Sequence, residues 1–192
     1  MRKGGSVRRS RPSRQENKKL LIVTEGEITE VQYLQGLAQY LRTAGVTVVP
    51  CTVQSGGGEP SRVLAKARDL ASQGDYEAVW LVVDVDEHAS LDDVLRKCTT
   101  GGETVVVSNP QFEVWLLWHF ASTGAPQTTV SLKKELRRHG FVGKHLPASF
   151  PFDQVDQAVN MATHKDRHSA PNARGANPSS AMPHLVEALR RT

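Results

Sequence analysis

The stretch "KLLIVTEGEITEVQYLQGLAQYLR", residues 19 to 42, decides the fold, because its periodicity changes partway along. Residues 20 to 24 are a short continuous apolar run rich in branched side chains, the signature of a strand buried on both faces. From Ile28 onward the apolar positions Ile28, Val31, Leu34, Leu37, Ala38 and Leu41 recur at helical spacing. A strand that feeds directly into an amphipathic helix is the first half of a parallel β-α-β unit. The junction holds three glutamates, Glu25, Glu27 and Glu30, where mutual repulsion and desolvation both count against them.

The same alternation continues outward. "VTVVPC" (46–51) reads as a second strand that Pro50 ends or moves to an edge, followed by a polar loop "QSGGGEP". "PSRVLAKARDLAS" reads as a second helix with Pro60 in its first turn. "AVWLVVDVDE" (78–87) is the strongest strand signal and also runs into acids. "LDDVLRKC" reads as a short helix and "ETVVVSN" (103–109) as a fourth strand. Alternating strands and helices predict an α/β fold, a parallel four-stranded sheet flanked by helices. Beyond residue 109 the pattern is mostly helical: "PQFEVWLLWHF", "SLKKELRRHG", "DQVDQAVNMAT" and "AMPHLVEALRR", the last two separated by a polar stretch read as loop. We therefore expect one domain over 19–192, with a core of about 19–120 and a helical C-terminal part of about 121–192.

Charge is unevenly divided over the 192 residues. The formal net charge is +4, yet residues 1–19 carry eight basic side chains against Glu16 alone, leaving the remainder near −3. The basic tail, 1–18, reads as disordered; it suits nucleic-acid phosphates, or it serves only solubility. The overall pI thus says little about the folded part. No apolar run is long enough to span a bilayer, and no signal peptide opens the chain, so the expectation is a cytoplasmic protein without a membrane partner. Cys51 and Cys98 match no metal spacing and read as core residues.

In an open parallel sheet, ligands bind beyond the carboxyl ends of the strands. Glu25 and Glu27 follow the first strand there, and Asp84, Asp86 and Glu87 follow the third. A hard cation such as Mg²⁺ takes oxygen ligands and converts the repulsion between carboxylates into attraction. Thr24 with Glu27 has the spacing of a capping box, and acids in a first turn complement the helix dipole, so Glu27 and Glu30 are read first as helix-start residues. Glu25, at the strand tip, is the one that calls for partners elsewhere. Asp84 and Asp86 alternate onto one face of an extended strand, which suits joint coordination or simple exposure. His88 joins as a possible further ligand, although a lone histidine beside acids is more often a surface residue. In "SNPQFEVWLLWHF", Asn109 is expected to cap a helix whose first residue is Pro110, with Glu113 on the first turn, and both are further site candidates.

Four ordered blocks, "VTEGEITEVQYLQGL", "VWLVVDVDEH", "SNPQFEVWLLWHF" and "NPSSAMPHLVEAL", resemble the RloB-like proteins of the Toprim superfamily, over most of the chain from Lys19 on. The resemblance implies a Toprim-like core in which Glu25 is a general acid or base or a metal ligand and Asp84 and Asp86 bind Mg²⁺ or Mn²⁺. It further implies a nuclease acting on RNA or DNA in anti-phage defence, held or triggered by an ABC-type ATPase partner. Basic residues expected to offset the acids and hold nucleic acid are Lys133, Lys134, Arg137, Arg138, Lys165 and Arg167, with Lys144 beside them; a run such as "KKELRR" is otherwise a solvated helix face. The alternative is a non-catalytic defence subunit that docks on or senses through the ATPase. A third reading, a receiver-like phosphotransfer domain, wants a lysine where "SNP" stands, and "SGGGEPS" lacks the lysine of a P-loop.

Overall fold

The computed structural model describes residues 19–85, 90–122, 124–165 and 170–190. Its sheet contains β1 (Leu20–Thr24), β2 (Cys51–Ser55), β3 (Ala78–Asp84), β4 (Thr104–Asn109) and β5 (Ser179–Ser180), in the order β2-β1-β3-β4-β5. The first four strands are parallel, and β5 runs antiparallel to β4. The connecting helices are α1 (Thr29–Thr43), α2 (Pro60–Gln73) and α3 (Leu91–Gly101). After β4 come α4 (Glu113–Leu117), α5 (Thr129–Arg138), α6 (Val155–Lys165), entered through a 3-10 turn at Phe152–Gln154, and α7 (Met182–Leu189).

Alternation along the strands divides the core in two. Leu20, Ile22, Trp80, Val82 and Val106 point to one face, where α1 and the C-terminal helices cover them. Leu21, Val23, Leu81, Val83, Val105 and Val107 point to the other, against α2 and α3. Burial on both faces is what the unbroken apolar runs of β1, β3 and β4 encode. The expected α/β class therefore holds, with a fifth strand added to the four.

Three expectations about elements are corrected. The second strand begins after Pro50 rather than before it. Pro50 has no N–H to give the sheet, and its carbonyl accepts from Leu20 at the entry to the ladder. Val48 and Val49 instead pair with Arg190 and Leu189. The polar stretch before α7 is not simply loop. Asn172, with φ of 60°, bonds the backbone of Val105 and Glu103, and Ser179 and Ser180 extend the sheet, so the segment covers the open edge of β4. Finally, Asn109 caps no helix. It ends β4, the Asn109–Pro110 bond is cis, and α4 starts at Glu113 after Phe112.

Candidate carboxylate site at the sheet edge

The chain leaves β1 for β2 on one side and returns across it to β3 on the other, so the carboxyl ends of β1 and β3 form the switch point of the sheet. Glu25 and Asp84 stand there. The Glu25 N–H still donates to the Val82 carbonyl at 2.9 Å, continuing the ladder one residue past β1. Its carboxylate accepts the Asp84 N–H at 3.1 Å. The Asp84 carboxylate in turn accepts the Phe112 N–H at 2.8 Å, just before the first turn of α4. Three sequence blocks that are far apart in the chain are thus joined by two hydrogen bonds.

Glu30 completes the group and corrects its expected role. It lies in the first turn of α1, but it is only 9% exposed, and its carboxylate accepts the Gly26 N–H at 3.0 Å. Gly26 leaves room for this approach, since a Cβ there would run into the Glu30 carboxyl group and displace it. No capping box forms: Ile28 precedes the helix without a side-chain cap, and the Thr24 hydroxyl donates to the Gly26 carbonyl instead. The signal for Glu30 was in the sequence, because it falls on the buried stripe of Tyr33, Leu34, Leu37 and Leu41. An acid on an apolar stripe is a buried acid.

The electrostatics tie these groups together. Burial pushes the Asp84 carboxyl well above the ordinary carboxylate range, and the charges of Glu30, Glu113 and Glu25 add to this against the Phe112 N–H. Burial likewise raises Glu30, with Glu113 and Glu25 contributing and the backbone N–H groups opposing. Glu25, Glu30, Asp84 and Glu113 therefore form one interacting set at the switch point. Glu27 is exposed and turned toward Gly57 in the β2-α2 loop, apart from the set. Asp86, Glu87 and His88 lie outside the described residues, as do Arg167 and the basic tail 1–18. Among the described residues, no group of three His, Cys, Asp or Glu side chains is arranged to hold a metal ion. The Asn109 side-chain N–H donates to the Gly175 carbonyl at 2.8 Å.

Beside the carboxylates a cavity of about 310 Å³ opens, lined from the acid side by Thr29 and Glu113. Its other wall is basic: Lys133 and Arg137 from α5, and Lys144 from the following turn. Lys134 and Arg138, one position on from each, do not line it, and Arg138 pairs with Glu135 at 2.8 Å. The five basic candidates among the described residues thus separate, since Lys165 lies against Gly124 at the end of α6. Lys144, expected beside the helical run as a further basic candidate, is a wall residue. Its place is fixed from α1, where Thr29 donates to the Lys144 carbonyl and Gln32 bonds His145 and the Leu146 N–H.

Among the described residues, no helix is long and apolar enough to cross a membrane. No curated protein and no solved structure matches the chain. One family model matches, that of the RloB-like protein, over residues 20–189, a span that takes in β1, every block named above and the whole of α7. By that match the chain belongs to the RloB-like family.

Proposed function

We propose that this protein is a Mg²⁺- or Mn²⁺-dependent nuclease of Toprim type that cleaves phosphodiester bonds in RNA or DNA. The observation that carries this reading is the meeting of Asp84 with Glu25 at the switch point, where Glu30 and Glu113 add further negative charge. A cluster of oxygen donors in which burial and the neighbouring charges drive up the Asp84 and Glu30 carboxyls is the chemistry a hard divalent cation relieves. Asp84 and Glu25, together with Asp86, are the residues that would hold it. When bound, such an ion polarises the phosphate and offsets charge on the leaving oxygen.

The chain's own groups supply the rest. A water oxygen bonds to phosphorus as the bond to the leaving sugar oxygen breaks, giving a phosphomonoester and a free hydroxyl. Glu25 moves the proton, from the attacking water or to the leaving oxygen. Lys133, Arg137 and Lys144 offset the charge of the nucleic acid next to the acids. Family membership supports the setting we assign, an anti-phage effector held or triggered by an ABC-type ATPase.

The test is cleavage of labelled single-stranded and duplex RNA and DNA with Mg²⁺, Mn²⁺ or EDTA. Asp84→Asn and Glu25→Gln should each lower the rate at least about a hundredfold while circular dichroism stays unchanged. Metal-dependent cleavage that survives both substitutions would sink the assignment. One observation favours a second reading, a non-catalytic docking subunit: the Asp84 carboxylate is already engaged by the Phe112 N–H. That reading expects no cleavage of any substrate, with the ATPase still retained on immobilised protein.

A further inference from the structure

We propose that the cavity between α1, α4 and α5 seats one unpaired nucleotide, so that the substrate is a single-stranded nucleic acid or a single-stranded segment of a folded one. The inference rests on the phosphodiesterase reading and adds what selects the strand. Four features of the cavity lead to it. Its volume, about 310 Å³, is at the small end of ligand pockets and takes a single nucleotide, not a base-paired one within a helix. Its floor is apolar, formed by Leu116, Leu136 and Phe141, all buried. Its rim carries Lys133, Arg137 and Lys144, and among the described residues none of these three forms an ion pair. Its acid side is Glu113, whose charge acts on both Asp84 and Glu30, so an occupant of the cavity is next to the carboxylate set.

An apolar floor under a basic rim matches a nucleotide part by part. The base leaves water for the floor, and the phosphates on either side meet the cations. A free anion needs no floor, and an apolar peptide needs no cations. Within a duplex the bases are stacked and paired, so entry would require extrusion of a nucleotide at a cost of a few kcal/mol. The turn that carries Lys144 is tied to α1 through Thr29 and Gln32, so the rim is built before any strand arrives.

Helix α5 provides its own control. Arg137 lines the cavity and Arg138 does not, yet reversing either changes the net charge equally. The experiment is fluorescence anisotropy of the full chain in EDTA, where cleavage is suppressed, with a labelled single-stranded oligonucleotide and the same sequence as duplex. The expected result is a preference for the single strand of about tenfold or more. Arg137→Glu should weaken single-strand binding at least about tenfold, while Arg138→Glu should weaken it no more than about threefold, the size of a general charge effect. Equal losses in the two variants, or equal affinity for duplex and single strand, would overturn the pocket. The two readings fail separately: single-strand preference with an Arg137-specific loss but no cleavage under any metal keeps the pocket and refutes the nuclease. Cleavage that depends on Asp84 but ignores Arg137 and strandedness refutes the pocket alone.

Discussion

Glu30 is where two demands on the chain collide. Its position on α1 is that of a core residue, and its side chain is a carboxylate. In the absence of a cation the folded protein has to keep Glu30 near Asp84, Glu25 and Glu113, and the raised carboxyls of Glu30 and Asp84 measure the strain. Glu30→Gln keeps the shape and the acceptor for the Gly26 N–H while removing the charge. We expect this variant to be more stable than the parent in EDTA at neutral pH, by roughly 1 kcal/mol or more, read from the urea midpoint. The sign with pH follows from linkage. A carboxyl raised on folding binds protons more readily in the native state, so its contribution improves as pH falls and is lost as pH rises through the raised value. The advantage of Glu30→Gln should therefore shrink on acidification. A variant less stable than the parent at neutral pH would show that Glu30 is compensated by groups other than those named.

At the scale of elements, α4 shows how a buried titratable group can serve packing alone. His119, just beyond α4, is 2% exposed and packs edge-on against Tyr33 and Trp115. Its Nδ1 lies 3.1 Å from the Trp115 carbonyl, which can only accept, so Nδ1 carries the proton and Nε2 accepts from the Tyr33 hydroxyl at 3.2 Å. Burial pulls its pKa down to about 4. Between there and the usual value near 6.5 the unfolded chain takes up a proton that the native ring refuses, so acidification over that window removes stability. This slope opposes the one from Glu30 and Asp84, and the direct readout is an NMR titration in which the His119 ring stays neutral at pH 5.5; a ring titrating above pH 6 would contradict the packing. The elements that were legible in the sequence share one property with this region, strong burial: β1, β3 and β4 are covered on both faces and announce themselves as apolar runs. β2 is half-buried at an edge and β5 is two serines long, so neither leaves a hydrophobic pattern to read. The site divides in the same way. Glu25 and Asp84 were legible from their places at strand ends, whereas Glu30 needed its helical phase; Lys144 was legible as a basic candidate, but its place on the cavity wall comes from a tertiary tie to α1 that no local pattern reports.

Over the whole molecule, positive charge is held in two forms that do different physical work. The tail, residues 1–18, has a net charge of about +6 that belongs to no matched block and to no described element, since the family match begins at Leu20. The rim of the cavity has three cations at fixed positions on a body whose net charge, with them included, is near −3. A charge that meets phosphates without selecting a geometry contributes through counterion release, and its mark is the salt dependence of binding. Were all six net charges of the tail to meet phosphates, a single strand would show a slope of log K against log salt steeper by about 4. Removing residues 1–18 should therefore flatten that slope by several units and weaken binding at low salt for single strand and duplex alike. The preference for single strand, and the difference between Arg137→Glu and Arg138→Glu, should persist, because they arise at a shaped site beside Glu113 and not from bulk charge. If truncation abolishes the strand preference while leaving the salt slope unchanged, the tail is the reader of the strand and the cavity is not.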